Sequence, residues 1–153
     1  MASLWLIACA GVAEAPPSEL AKIVTTTGTN PLMITKESDF PAFLKFVMSD
    51  PPWIPGSVMD VLARERIANQ DLEREVFQQI ATDSVSGAVK GLATPTLIVW
   101  GNEDRALSVG TVPVLQTLLP NAQAVVMPHV GHAPMIERPQ QTADDYLRFR
   151  AAL

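Results

Sequence analysis

Only one cysteine, Cys9, occurs among 153 residues, so no disulfide can form within the chain and no cysteine-based zinc site can assemble. Basic side chains are also few. Eleven Lys and Arg against sixteen Asp and Glu leave a formal net charge of −5. With no basic patch to neutralise phosphates, a nucleic-acid partner is not expected. Nowhere is there a run of about eighteen apolar residues, which excludes an evident transmembrane helix. Internal repeats and low-complexity segments are absent too. What the chain does have is 48% hydrophobic residues, enough for a packed core, and thirteen prolines that cut it into short elements.

The first fifteen residues, MASLWLIACAGVAEA, admit two readings. An apolar stretch ahead of Ala13-Glu14-Ala15 has the outline of a secretory leader, but no Lys or Arg precedes Lys22 to supply its charged start. The favoured reading is a strand from Ser3 to Cys9, apolar on both faces and closed by Gly11. Continuous apolarity of this kind suits a strand covered by helices on both sides. The expected location is therefore cytoplasmic, with secretion as the alternative if residues 1–15 are a leader. Cys9, inside that strand, reads as a small buried hydrophobe.

From Ala15 to Lys90 the chain reads as helical and irregular. Ser18 can cap a helix ending near Thr27, with Gly28 beyond it. Phe40, Phe43, Leu44 and Val47 follow the i, i+3, i+4, i+7 spacing of one helical face, with Ser38 at the N-cap and Pro41 in the first turn. The proline-rich stretch Asp50 to Gly56 must be a rigid turn. Two further helices are expected, from about Ser57 to Ala68 on Val58, Val61 and Leu62, and from about Gln70 to Thr82 on Leu72, Val76, Phe77 and Ile80. Asp60 and Arg64 would form an exposed i, i+4 pair.

After Gly91 the pattern changes to strand, helix, strand, helix with short links, the signature of a parallel sheet. Thr96 to Trp100 (TLIVW) and Gln123 to Met127 (QAVVM) are the strands; Val112 to Leu119 and Pro139 to Ala151 are the helices. Trp100, at a strand end, reads as core. Ligands of open parallel sheets sit beyond the carboxyl ends of strands. The loops there are Gly101-Asn102-Glu103-Asp104-Arg105 and Pro128-His129-Val130-Gly131-His132. An acid from one and a histidine from the next can meet, the carboxylate fixing the imidazole tautomer so that its other nitrogen acts as a base. Taken singly, an Asp after a strand is usually a turn former and a His beside glycine usually structural. Following consecutive strands, the two are as readily a catalytic pair as two structural residues. His129 and His132 with one Asp lack the ligand count of a metal site, so no metal is expected.

PTLIVWGNEDRAL followed by VVMPHVGHAPMIERPQQTADDYLRF resembles the C-terminal part of α/β-hydrolases, which carry their triad in the order Ser, Asp or Glu, His. The resemblance implies that Asp104 is the acid, rather than Glu103, and that His132 is the base, rather than His129. Pro134, Met135 and Glu137-Arg138-Pro139 fit the family's link into its last helix. The stretch from Asn30 through Leu44 is similar to the caps of monoacylglycerol-lipase-like and bacterial lipase members. The fold class implied is α/β, a partial α/β-hydrolase with about three parallel strands (sixth to eighth) flanked by helices and an all-helical cap. Residues 1–14 and 91–153 would belong to the core and 15–90 to the cap. Phe46, Met48, Trp53 and Ile54 would be the cap's substrate contacts, and no cofactor is implied.

The family's nucleophile motif, Gly-x-Ser-x-Gly, does not occur in these residues. Ser86 and Ser108 each stand near a glycine but on no strand-to-helix elbow. A base and its orienting acid without a nucleophile cannot run acyl transfer, so the chain alone is expected to be inactive. The reading that follows is part of a serine hydrolase acting on small lipophilic esters, with its nucleophile half missing. Two alternatives stay open: a non-catalytic truncated or split chain that binds a partner or lipophilic ligand, and another hydrolase chemistry, on epoxides, haloalkanes or carbon–carbon bonds. The expected partners are the ester, the missing half, or a second copy paired through the unprotected first strand.

Overall fold

The computed structural model describes residues 3–153. The first two positions of the expected core segment 1–14 lie outside the described residues. Three parallel strands form one sheet in the order β1 (Leu4–Ile7), β2 (Thr96–Gly101), β3 (Ala122–Met127). Leu4 pairs with Thr96, and Thr96 in turn with Ala122. Between β1 and β2 lie α1 (Glu19–Thr27), a 3-10 turn at Glu37–Asp39, α2 (Phe40–Val47), α3 (Gly56–Ala68), α4 (Gln70–Thr82) and the short α5 (Ser86–Val89). After β2 come α6 (Thr111–Leu118), then β3, the short α7 (Pro134–Glu137) and α8 (Pro139–Ala151).

Strand β2 is buried along its whole length, and its alternation divides the core in two. Ile98 and Trp100 pack with Ala8, Val112, Leu115 and Leu119 under α6. On the other face, Leu97 and Val99 pack with Met127, Val130 and Phe149 under α8. The layering is therefore helix, sheet, helix, as expected of an α/β chain.

The profile expected of the first strand belongs instead to β2. β1 is four residues long, and Ala8 ends it with a positive φ of 42°. Trp5 is 36% exposed and stacks on Tyr146 of α8 with ring centroids 4.4 Å apart. With β2 on one side only, β1 is an edge strand among the described residues, which is why its side chains are half-covered. Cys9 packs half-buried against the α6-side cluster, and burial pushes its thiol up.

Local capping agrees with the sequence at α1. Ser18 accepts from the Ala21 N–H, and Gly28 closes the helix in the left-handed region at φ 70°. At α2 the residue before the helix is Asp39 rather than Ser38, and its carboxylate does not cap the helix but accepts from the preceding backbone N–H groups of Thr35 and Lys36. Phe40 is buried as the spacing requires, but Phe46, off the expected face, is buried as well, against Leu32 and Ala106.

The apolar faces expected for α3 and α4 are corrected. Val58, Val61, Leu62, Leu72, Val76 and Ile80 are exposed. α3 instead packs through Ala63, with Met59 and Ile67 beside it, against Ile34 and Phe40. A small side chain permits close approach, and the larger ones flank it. Arg64 reaches Glu37 at 3.6 Å, so the expected pair with Asp60 gives way to a longer-range one. Arg66 ties α3 to α4 through Glu73 at 2.9 Å and covers the Phe43 ring. Among the described residues no helix is long and apolar enough to cross a membrane.

Candidate active site

The loops beyond β2 and β3 meet because each contributes a glycine where no side chain fits. A Cβ on Gly101 would fall inside van der Waals contact with the carbonyl oxygens of Val130 and Gly131. One on Gly131 would collide with the Val47 carbonyl oxygen and with the backbone of Met48 and Ser49. Backbone bonds complete the joint: Asn102 N–H donates to the Met127 carbonyl, and Glu103 N–H to that of Val130, both at 2.9 Å.

At this joint Asp104 Oδ2 lies 2.9 Å from His132 Nδ1. The Asp104 side chain is wholly buried, while that of His132 is 31% exposed. The other carboxylate oxygen, Oδ1, accepts the N–H groups of Ala106 and Leu107, both at 2.9 Å. These donors stabilise the ionised carboxylate and fix its plane. Because a carboxylate only accepts, Nδ1 carries the proton in this bond, which leaves Nε2 with a lone pair for a second partner.

A second acid–histidine pair lies beside the first. His129, at φ 56°, has Nδ1 2.9 Å from Glu103 Oε1, and its backbone N–H donates to Asn102 Oδ1. It is far more open to water, with 83% of the His129 side chain exposed. The Ser49 hydroxyl first, and His129 second, hold the Glu103 carboxyl below the usual carboxylate range.

The helical segment between β1 and β2 braces both loops. On the acid side, Leu20 N–H donates to the Arg105 carbonyl, and Arg105 grips Glu19 through two bonds of 2.9 and 2.7 Å while lying over the Phe46 ring. On the histidine side, His132 N–H donates to the Val47 carbonyl at 2.7 Å. The buried Glu137 carboxylate accepts from Ser49 and Asp50 at 2.8 and 3.0 Å and from Gly131 at 2.9 Å. Arg138 adds a bond to Asp50 at 2.9 Å.

The Arg105 guanidinium holds the Glu19 carboxyl below its ordinary value of 4.5. Its stabilising effect is therefore full above about pH 4.5 and fades as acid titrates the folded carboxylate. Both partners are nearly half exposed, so Glu19→Gln should cost no more than about 1 kcal/mol at neutral pH. Melting curves of the two proteins should converge as the pH is lowered through the depressed titration of the folded Glu19 carboxyl.

The sequence-derived substrate contacts differ widely in exposure. Phe46 and Met48 are buried, Ile54 is half-buried, and Trp53 stands 86% exposed in the turn before α3. Met48 lies against Gly131 through its backbone. Ser86 bonds Glu14, and Ser108 caps the turn into α6; among the described residues no serine hydroxyl bonds His132. No cluster of three or more His, Cys, Asp or Glu suited to a metal occurs among the described residues. Sequence reasoning placed Glu137 only in a turn and passed over Ser49 and Glu19. Their partners lie roughly 90 residues away, a separation no local pattern encodes.

Parallel strands with loops converging beyond their carboxyl ends define an α/β protein with its candidate site at that edge of the sheet. The chain belongs to the alpha/beta hydrolase family, whose model matches residues 2–145. Lipase 1 of Psychrobacter immobilis is 41% identical over 99% of this chain and 48% of its own length. A monoacylglycerol lipase of Rattus norvegicus is 28% identical over 65% of this chain and 31% of itself. The crystal structure of a membrane phospholipase A superposes with a TM-score of 0.92 at 33% identity, over 99% of this chain and 49% of that one. The chain thus spans about half the length of the Psychrobacter lipase and of the phospholipase structure, and the curated proteins it resembles include lipases.

Proposed function

We propose that this chain supplies the acid and the base of a serine hydrolase acting on carboxylic esters with lipophilic acyl groups. The observation that carries the proposal is the Asp104–His132 bond, 2.9 Å long, with its carboxylate buried and doubly anchored. His132 Nε2 takes the proton from a serine hydroxyl outside these 153 residues as that oxygen attacks the ester carbonyl. Asp104 stabilises the resulting imidazolium, which passes its proton to the departing alkoxide. His132 then deprotonates the water that releases the acid. The similarity to lipases supports the substrate class.

The helical segment 15–90 is proposed as the cap. The Val85 N–H donates to the Gly11 carbonyl and the Ser86 hydroxyl to Glu14, so the chain leaves the sheet and returns to it at one point. That junction supports core segments at 1–14 and 91–153.

The test is hydrolysis of p-nitrophenyl esters of short and long acids. The chain is assayed alone and after refolding with the part of Psychrobacter immobilis Lipase 1 that it does not match. Turnover only in the mixture, lost with His132→Ala, is the expected outcome. Turnover by the isolated chain, or none in a folded mixture, would overturn the proposal. A second reading, a non-catalytic chain that binds a partner or ligand, is favoured by the exposed Val58, Val61, Leu72, Val76 and Ile80. Saturable binding with no hydrolysis in the mixture would select it.

A further inference from the structure

We propose that Glu137 is a positioning residue that sets the tautomer and placement of His132 by clamping the α2 exit to the histidine loop. The idea rests on the reading of His132 as base and extends it to a residue that touches neither substrate nor the imidazole. Glu137 is 7% exposed, yet among the described residues its carboxylate faces no guanidinium or ammonium within bonding distance. Its partners are three backbone N–H groups. Ser49 and Asp50 donate to Oε2, and Gly131 donates at 2.9 and 3.1 Å to the two oxygens. Backbone donors from two segments thus converge on one anion, a costly burial unless every bond is made.

The geometry gives this anion leverage. Gly131 directly precedes His132, whose own N–H is held by Val47, two residues before Ser49. The two loops are therefore joined by a ring of bonds running Val47, His132, Gly131, Glu137, Ser49. Within that ring the imidazole can vary little, and Nδ1 stays opposite Asp104 Oδ2. Loss of the carboxylate frees three donors that repel any cationic or donor group in its place, and the ring opens at Gly131. The imidazole can then turn away from Asp104.

The chain has two histidines, so both can be followed together. The ¹⁵N shifts of the imidazole nitrogens, read through the ring C–H protons in alkaline solution, report the neutral tautomers. His132 should hold its proton on Nδ1. In Glu137→Gln and Glu137→Ala the tautomer ratio of His132 should move toward Nε2–H by about tenfold, the size of one lost charge-assisted hydrogen bond. His129, held by Glu103, should not move, and the amides of β2 should keep their protection from exchange. A fully structural residue would leave the tautomer unchanged while lowering the melting temperature, and that result would overturn the proposal. Glutamine keeps the volume and one acceptor, so it decides the matter if alanine unfolds the chain; unfolding of both counts against it. A tautomer shifted in the variants, together with no hydrolysis by the mixture containing the unmutated chain, would sink the functional reading alone. Unaltered tautomers with full hydrolysis would sink this one alone.

Discussion

Asp104→Asn should lower kcat of the reconstituted hydrolase by about 10⁴-fold while leaving KM close to its original value. The reason lies in the two N–H groups of Ala106 and Leu107 that hold Oδ1. An asparagine in this place keeps its single oxygen on those donors, which turns its NH₂ toward His132 Nδ1. Nδ1 must then accept, the ring proton moves to Nε2, and the base loses the lone pair it needs. The substitution is nearly isosteric, so folding should survive. A decrease of tenfold or less, with the ¹⁵N shifts of His132 unchanged, would overturn the proposed role of Asp104. His132→Ala, by deleting the base itself, should be at least as damaging.

Gly101→Ala should be strongly destabilising, costing about 3 kcal/mol or more. Its Cβ would meet two backbone carbonyl oxygens, which cannot rotate aside as a side chain end can. Relief requires the loops beyond β2 and β3 to separate, and with them Asp104 and His132. For a chain of this size the melting temperature should fall by roughly 6–12 °C. Gly87→Ala is the control. Its Cβ would meet nothing within 4 Å, and it sits within α5, where alanine is the better helix former. Equal melting temperatures for the two variants would show that the loops can part without loss, and the close approach at Gly101 would carry no structural meaning.

The stretch from Thr96 onward was legible because its signals are local. Pro95 and Gly101 bracket a β-rich run, Pro113 sits in the first turn of α6, and the two strands alternate with helices. Asp104 and His132 could be brought together on paper because each follows a strand and parallel strands end on the same side. The helices between β1 and β2 were legible in extent but not in facing. Val58, Val61 and Leu62 look like the interior of α3 by spacing, whereas Ala63, too small to weigh in a hydrophobic pattern, is the residue wholly buried. Periodicity finds a face only when the chain has one principal neighbour. Likewise the bare carboxylate of Glu137 reads as a turn residue, since backbone donors leave no trace in the sequence that they satisfy.

The staple of Gly11 to Val85 and Glu14 to Ser86 also bears on how such a chain can diverge. With the ends of the helical segment pinned together, lengthening what lies between adds little closure entropy, about 0.6 kcal/mol for each doubling. The α3–α4 hairpin makes none of the hydrogen bonds described to the loops that carry Asp104 and His132, and apart from Phe77, which packs into the Leu32–Phe46–Ala106 cluster, insertions and substitutions there should leave the pair in place. The start of α1 and the exit of α2 have no such freedom, because Leu20, Val47, Ser49 and Asp50 are bonded to the acid and histidine loops or to the Glu137 that clamps them. Sequence drift should therefore concentrate between residues 53 and 84, which can vary without displacing Asp104 or His132.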